Sequence, residues 1–197
     1  ALRAGVSRLL ADCYGNLGDT DRQRSYLAGA VRDAPDNLAS RLSWINGLVQ
    51  RGEIDRAIDE YRNLAGTVAA VRPTLAALLI DRNRDLEPAR RDWKEVEELV
   101  AGIGRDNPGS SAPTALAAQL RAAQGRIDEA LIAFEATLSQ FPSSRAHEFL
   151  LYISLFAPNG VRRHAEEVRR WAELYAPAYT PGTRRFANKA LDGRRLK

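Results

Sequence analysis

Gly125 to Pro142 reads GRIDEALIAFEATLSQFP, and its punctuation decides the fold. Between the glycine and the proline, Ile127, Ala130, Leu131, Phe134 and Leu138 recur at three- and four-residue steps, the signature of one helix face. Gly125 stands where a preceding helix must stop and the chain reverse, a left-handed position that costs a residue with a side chain more. Pro142 closes the segment, because it has no amide hydrogen to donate and crowds the preceding turn. The same arrangement opens at Gly52 in GEIDRAIDEYRNL, where Ala57 and Tyr61 repeat the four-residue step from Ala130 to Phe134.

Outward from these segments the punctuation keeps a beat. Gly18 and Gly52 are 34 residues apart, Gly125 and Gly160 are 35 apart, and the gap of 73 between the pairs is close to two more units. Pro35, Pro108, Pro142 and Pro177 follow at steps of 73, 34 and 35. A fixed period of this length marks a repeat architecture, each unit being helix, turn, helix. On these residues the chain resembles the tetratricopeptide repeat family. In that family the small residue of each Ala and aromatic pair lets two helices approach and the ring fills the gap beside it. EPARRDW supplies a third such pair, Ala89 and Trp93.

The resemblance implies an all-α, right-handed superhelical solenoid of antiparallel helix pairs. About five degenerate units are expected, over residues 4–37, 38–71, 72–110, 111–144 and 146–179, followed by a basic capping helix or tail over 180–197. Thr180 can cap that last helix and Pro181 can open it. The first unit has Gln23 and Leu27 in place of the alanine and aromatic, and the last has Ala165 and Arg169. The third departs most, since 15 residues separate Trp93 from Pro108 where 8 separate Phe134 from Pro142. The excess of about two helical turns reads as a longer second helix, roughly Glu87 to Ala101, followed by the loop GIGRDNPGSSAP. A small inserted flap is the alternative.

Composition narrows the function classes. The formal net charge is +4, but six cations and one anion after Tyr179 contribute +5, leaving residues 1–179 at −1. Basicity therefore belongs to the tail and gives the body no reason to seek nucleic acid. The longest apolar stretch, Phe149 to Ala157, is about half of what a membrane span needs, so no membrane insertion is expected. Cys13 is the single cysteine and cannot form an internal disulfide; it falls on the apolar stripe Leu9, Leu10, Cys13, Tyr14 and Leu17 and reads as a buried small hydrophobe. With no methionine, the sequence reads as an excised or processed segment, and the cytoplasm is favoured over an extracytoplasmic compartment.

An enzyme needs a nucleophile, a base or a metal cluster. His147 and His164 are the only histidines, no cysteine or acid pair stands at ligand spacing beside either, and both read as partly exposed helical residues. Glu95, Glu97 and Glu98 lie among Arg90, Arg91 and Lys94, a solvated face, and the glycines Gly102, Gly104 and Gly109 lack the lysine and hydroxyl of a phosphate loop. Trp44, Trp93 and Trp171 read as packing residues. No catalytic residue, cofactor or metal is predicted.

The remaining expectation is a protein-interaction scaffold that takes a peptide or helix of a partner in its concave groove. Placing the turn glycines in register nominates Arg8, Asp12 and Asn16 in the first unit, Asn46 and Gln50 in the second, Asp81 and Arg82 in the third, Gln119 in the fourth, and His147 and Ser154 in the fifth. The cationic set that clamps a terminal carboxylate in co-chaperone repeats is not matched, since Leu42, Ala112 and Ala115 hold its places. Ala115, Ala122 and Ala123 suit an apolar occupant, or equally a tightly packed superhelix. The alternatives are a structural segment of a larger protein and, less favoured, a nucleic-acid or acidic-surface binder using the tail with Arg162, Arg163, Arg169 and Arg170. A monomer is favoured.

Overall fold

The computed structural model describes residues 2–176, and within them every regular element is helical. Ten α-helices run α1 (Leu2–Asn16), α2 (Thr20–Asp33), α3 (Leu38–Gln50), α4 (Ile54–Ala65), α5 (Arg72–Asp85), α6 (Lys94–Asp106), α7 (Ala112–Ala123), α8 (Ile127–Gln140), α9 (Ser144–Ser154) and α10 (Gly160–Tyr175). Odd and even helices pair, and each pair packs on the next, giving an all-α solenoid. The capping helix expected over 180–197 lies outside the described residues.

In four of the five pairs the reversal is short because one residue turns left-handed. Gly18, Gly52 and Gly125 have φ of 75°, 74° and 81°. Each hands the chain to the next helix within two residues. In the fifth unit the left-handed residue is Asn159, φ 59°, not Gly160 as the glycine spacing suggested. Asparagine tolerates this region better than most residues. Gly160 is needed for a different reason: a Cβ there would stand 2.5 Å from the Leu155 carbonyl oxygen and 2.8 Å from that of Ser154. The starts of other helices are fixed by side chains, with Asp19 accepting from the Arg22 amide at 3.0 Å and Asn37 from that of Ser40 at 2.9 Å.

Inside the stack, Ala57 and Tyr61 on α4 and Ala130 and Phe134 on α8 are buried, so both pairs sit in the core. Two apolar clusters form. One runs from Ile45 and Leu48 on α3 through α4, α5 and α6 to Leu116 and Leu120 on α7. The other joins Ala118 on α7 to Ala130, Leu131 and Phe134 on α8 and Leu150 and Ile153 on α9.

The third unit corrects the sequence reading. The long helix from Glu87 does not form: Leu86–Trp93 is an irregular connection holding a 3₁₀ turn at Pro88–Arg90, and α6 runs on to Asp106, through two of the glycines assigned to a loop. Ala89 is exposed, and Trp93 packs half-buried just ahead of α6. Val96 and Val100, four apart and both buried, take the places of the alanine and the ring, and Val100 stands 8 residues before Pro108 as Phe134 does before Pro142. Pro88 is the cause: it cannot donate within a helix and pushes its predecessor, Glu87, into an extended conformation, ψ 139°. The connection is held by buried Asn83, whose Nδ2 donates to the Leu79 carbonyl at 3.0 Å while its Oδ1 accepts from the Asp92 amide at 3.0 Å. Arg91 adds donations to the carbonyls of Leu86 and Arg84 at 3.0 and 3.1 Å.

The first helix also differs from its reading. Cys13 is exposed, as are Leu9 and Leu17, while the face that α1 turns inward is made of Ala4 and Ala11. The close approach of α1 to its neighbours needs small residues, so the larger ones end on the outside.

Ion pairs tie units together on the surface. Arg62 on α4 forks onto Glu95 on α6 with both bonds at 2.7 Å, and the Glu95 carboxyl is held below its usual 4.5 chiefly by those hydrogen bonds, against partial burial. Because the shift is downward, the added stability is present at neutral pH and disappears as pH falls through the folded-state value. The wild-type chain is expected to melt above a Glu95→Gln variant at neutral pH, with the gap closing in acid; a gap persisting in strong acid would assign it to another cause. Exposure of both partners keeps it small. Asn83→Ala is expected to cost about 1–3 kcal/mol in urea denaturation, since it removes two hydrogen bonds from a buried position.

Candidate functional site

A groove of about 800 Å³ opens along α5, α7 and α9. Its floor on α7 is Ala112, Ala115, Ala122 and Ala123, joined by Ala77 on α5 and Ala146 on α9. These side chains stop at Cβ, so the backbone of α7 lies low and space remains above it. Opposite stands a wall of rings from Phe134, Phe141, Phe149, Tyr152 and Phe156. Phe134 and Phe149 stack with centroids 6.0 Å apart, anchoring the wall to the core, and Tyr152 meets Phe156 edge-on at 5.3 Å. Tyr152 and Phe156 are more than half exposed, an unusual cost for rings of that size. Polar groups also line it: Asp81 and Arg84, paired at 3.3 Å, on α5, Ser111 and Gln119 at the start and in the middle of α7, Thr137 on α8, and Ser143 with Arg145 at the start of α9.

Of the residues nominated by register, Asp81 and Gln119 line this groove. Arg82 does not; its Nε donates to Asp55 at 2.9 Å, and Arg84 takes the groove position. Arg8, Asp12 and Asn16 lie on α1, and Asn46 and Gln50 are exposed on α3; none of the five lines the cavity.

His147 and Ser154 are corrections. Both are on α9 but face α10, at 1% and 0% exposure. His147 Nε2 lies 3.0 Å from Glu167 Oε2, and its ring meets Tyr175 edge-on at 5.7 Å. Register placed these residues on the right helix and the wrong side, because α9 is apolar on both faces. Phe149, Tyr152 and Phe156, three and four apart, form the outward stripe, while His147, Leu150 and Ser154 form the inward one. That second stripe was the signal that could have found the aromatic wall in the stretch FLLYISLFA.

Chemistry beyond packing is constrained at the one place, among the described residues, where a hydroxyl meets an imidazole. Ser154 Oγ lies 3.3 Å from His164 Nδ1, but the hydroxyl donates to the Leu151 carbonyl at 2.7 Å and Nδ1 stands 2.9 Å from the same oxygen. A nitrogen that donates to a carbonyl carries its own proton and cannot take one from serine, and Ser154 has no access to a substrate. Among the described residues no group of three or more His, Cys, Asp or Glu side chains is arranged to hold a metal, and no helix is long and apolar enough to cross a membrane.

The chain matches no protein-family profile and no curated protein sequence. Solved structures do match it. A thermophilic TPR protein of Thermus thermophilus, TTC0263, superposes with a TM-score of 0.67 at 14% identity, over 86% of this chain and 90% of that one. MamA from Desulfovibrio magneticus RS-1, residues 41 to the end, gives 0.62 at 13% identity over 87% and 94%. Another MamA crystal structure gives 0.56 at 17% identity over 91% and 98%. These likenesses show the fold, a tetratricopeptide-like solenoid.

The buried histidine provides a test of the two faces of α9. Replacing His147 by Ala strands the Glu167 carboxylate, 13% exposed, and is expected to lower stability by about 1–3 kcal/mol and with it the melting temperature. Any binding in the groove at temperatures well below the melt should be unaffected.

Proposed function

We propose that this tetratricopeptide-like chain is a non-catalytic scaffold that holds an amphipathic helix or apolar peptide of a partner protein in the groove over α5, α7 and α9. The observation that carries the reading is the pair Tyr152 and Phe156, exposed above a floor of alanines in a groove of about 800 Å³. Rings held in water cost free energy that a docked apolar surface recovers, and aromatic anchors facing a low floor are what a helix laid into a groove requires. The charged groups that line it set direction rather than affinity, since Asp81, Arg84 and Arg145 are solvated.

Groove binders read their occupants at i, i+3, i+4 and i+7, because those positions share one helix face. A peptide-display library selected against the immobilised chain should therefore enrich segments with apolar residues at that spacing. The double variant Tyr152→Ala, Phe156→Ala should bind the selected peptides at least about tenfold more weakly while keeping its helical circular dichroism. Peptides that bind the variant as well as the parent, or a selection that yields none, would remove the groove as the binding surface.

A further inference from the structure

The outer face of α1 carries its large apolar side chains. Leu2, Val6, Leu9 and Leu17 are 85%, 48%, 65% and 78% exposed, and Cys13 is exposed among them. The Leu17 amide still donates to the Cys13 carbonyl, so Leu17 continues the helical turn. At 100° per residue the five fall within an arc of about 80°, opposite the buried Ala4 and Ala11. An amphipathic helix normally turns such a stripe to a core; α1 turns it to water.

We propose that a second copy of this chain covers the stripe, with two α1 helices packed antiparallel about a two-fold axis. The pattern is its own complement. Pairing residue i with residue 19 − i in the other copy sets Leu2 against Leu17, Val6 against Cys13, and Leu9 against the half-buried Leu10, so each apolar position meets another. A two-fold interface requires this self-matching, whereas docking of an unrelated helix does not. The charges beside the stripe allow it: Arg3 comes opposite Asn16, and Arg8 and Asp12 lie on the helix flank turned away from the stripe, so no like charges are opposed in the pairing. The contact also continues the stack, which is built throughout from antiparallel helices laid side by side.

A helix of 15 residues is about 22 Å long, so the contact lies at the small end of specific interfaces. The dimer is accordingly weak and reversible, so its population rises with concentration. It leaves both copies' grooves free, since the groove is built from α5 to α9, and gives a partner with two docking segments a bivalent receptor.

The test uses sedimentation equilibrium on the 197-residue chain over a concentration series, with disulfide trapping beside it. The wild-type chain is expected to shift from monomer to dimer mass, and Leu9→Glu, at a position already in water, to stay monomeric with unchanged circular dichroism. In the proposed register the two Cys13 residues are offset by about 10 Å along the axis, too far for a disulfide, while Cys13 faces position 6. Val6→Cys should therefore form a covalent dimer under mild oxidation and the wild type should not. A chain that remains monomeric throughout overturns the proposal. So does a Val6→Cys variant that cross-links no faster than wild type, or a dimer that survives Leu9→Glu.

Discussion

The solenoid depends on reversing the chain within a few residues without leaving a gap between the two helices of a pair. The left-handed conformation at Gly18, Gly52, Gly125 and Asn159 makes the reversal possible in four of the five units. Fully buried small side chains such as Ala130 and Ala57 then let the returning helix lie close. Neither works alone: a tight turn onto a bulky face would splay the pair, and a small face behind a loose turn would find no fixed partner. The period of the sequence is the spacing of these joint requirements. The left-handed residues keep it well, since Asn159 stands 34 residues after Gly125 and Gly52 stands 34 after Gly18.

The architecture was legible because its determinants are backbone punctuation and helical periodicity, which survive when side-chain identity drifts. The places where reading failed have a common cause. In the third unit Pro88 broke a helix that the position of Trp93 invited, and the pair that fills the core is Val96 and Val100, neither of them the expected alanine or ring. A valine pair occupies the space differently but closes the same gap. On α1 the periodic large residues were read as facing the core, yet helices approaching so closely have room only for Ala4 and Ala11.

The site was less legible than the fold for the same reason that it exists. A groove is what side chains fail to fill, and sequence patterns report what is filled. Ala115, Ala122 and Ala123 could be read as a low floor, but the aromatic wall belongs to a helix with two apolar faces, and register alone cannot choose between them. Asp81 and Gln119 reach the groove, while His147 and Ser154, on a helix that borders it, turn inward to serve the packing of α10.

Helix α7 is the narrow place in the molecule. Leu116 and Leu120 belong to the apolar cluster on one side and Ala118 to that on the other, so the two cores meet through a single helix of 12 residues. Because contacts in such an array reach only to neighbours, the segment after α7 can open while the segment before it stays folded. The groove spans this joint, taking Ala77 and Ile80 from one side and Phe134 and Ile153 from the other. An occupant there would bridge the two clusters, and its arrival would register as protection of the α8 to α10 amides from exchange with solvent, beyond the residues it touches.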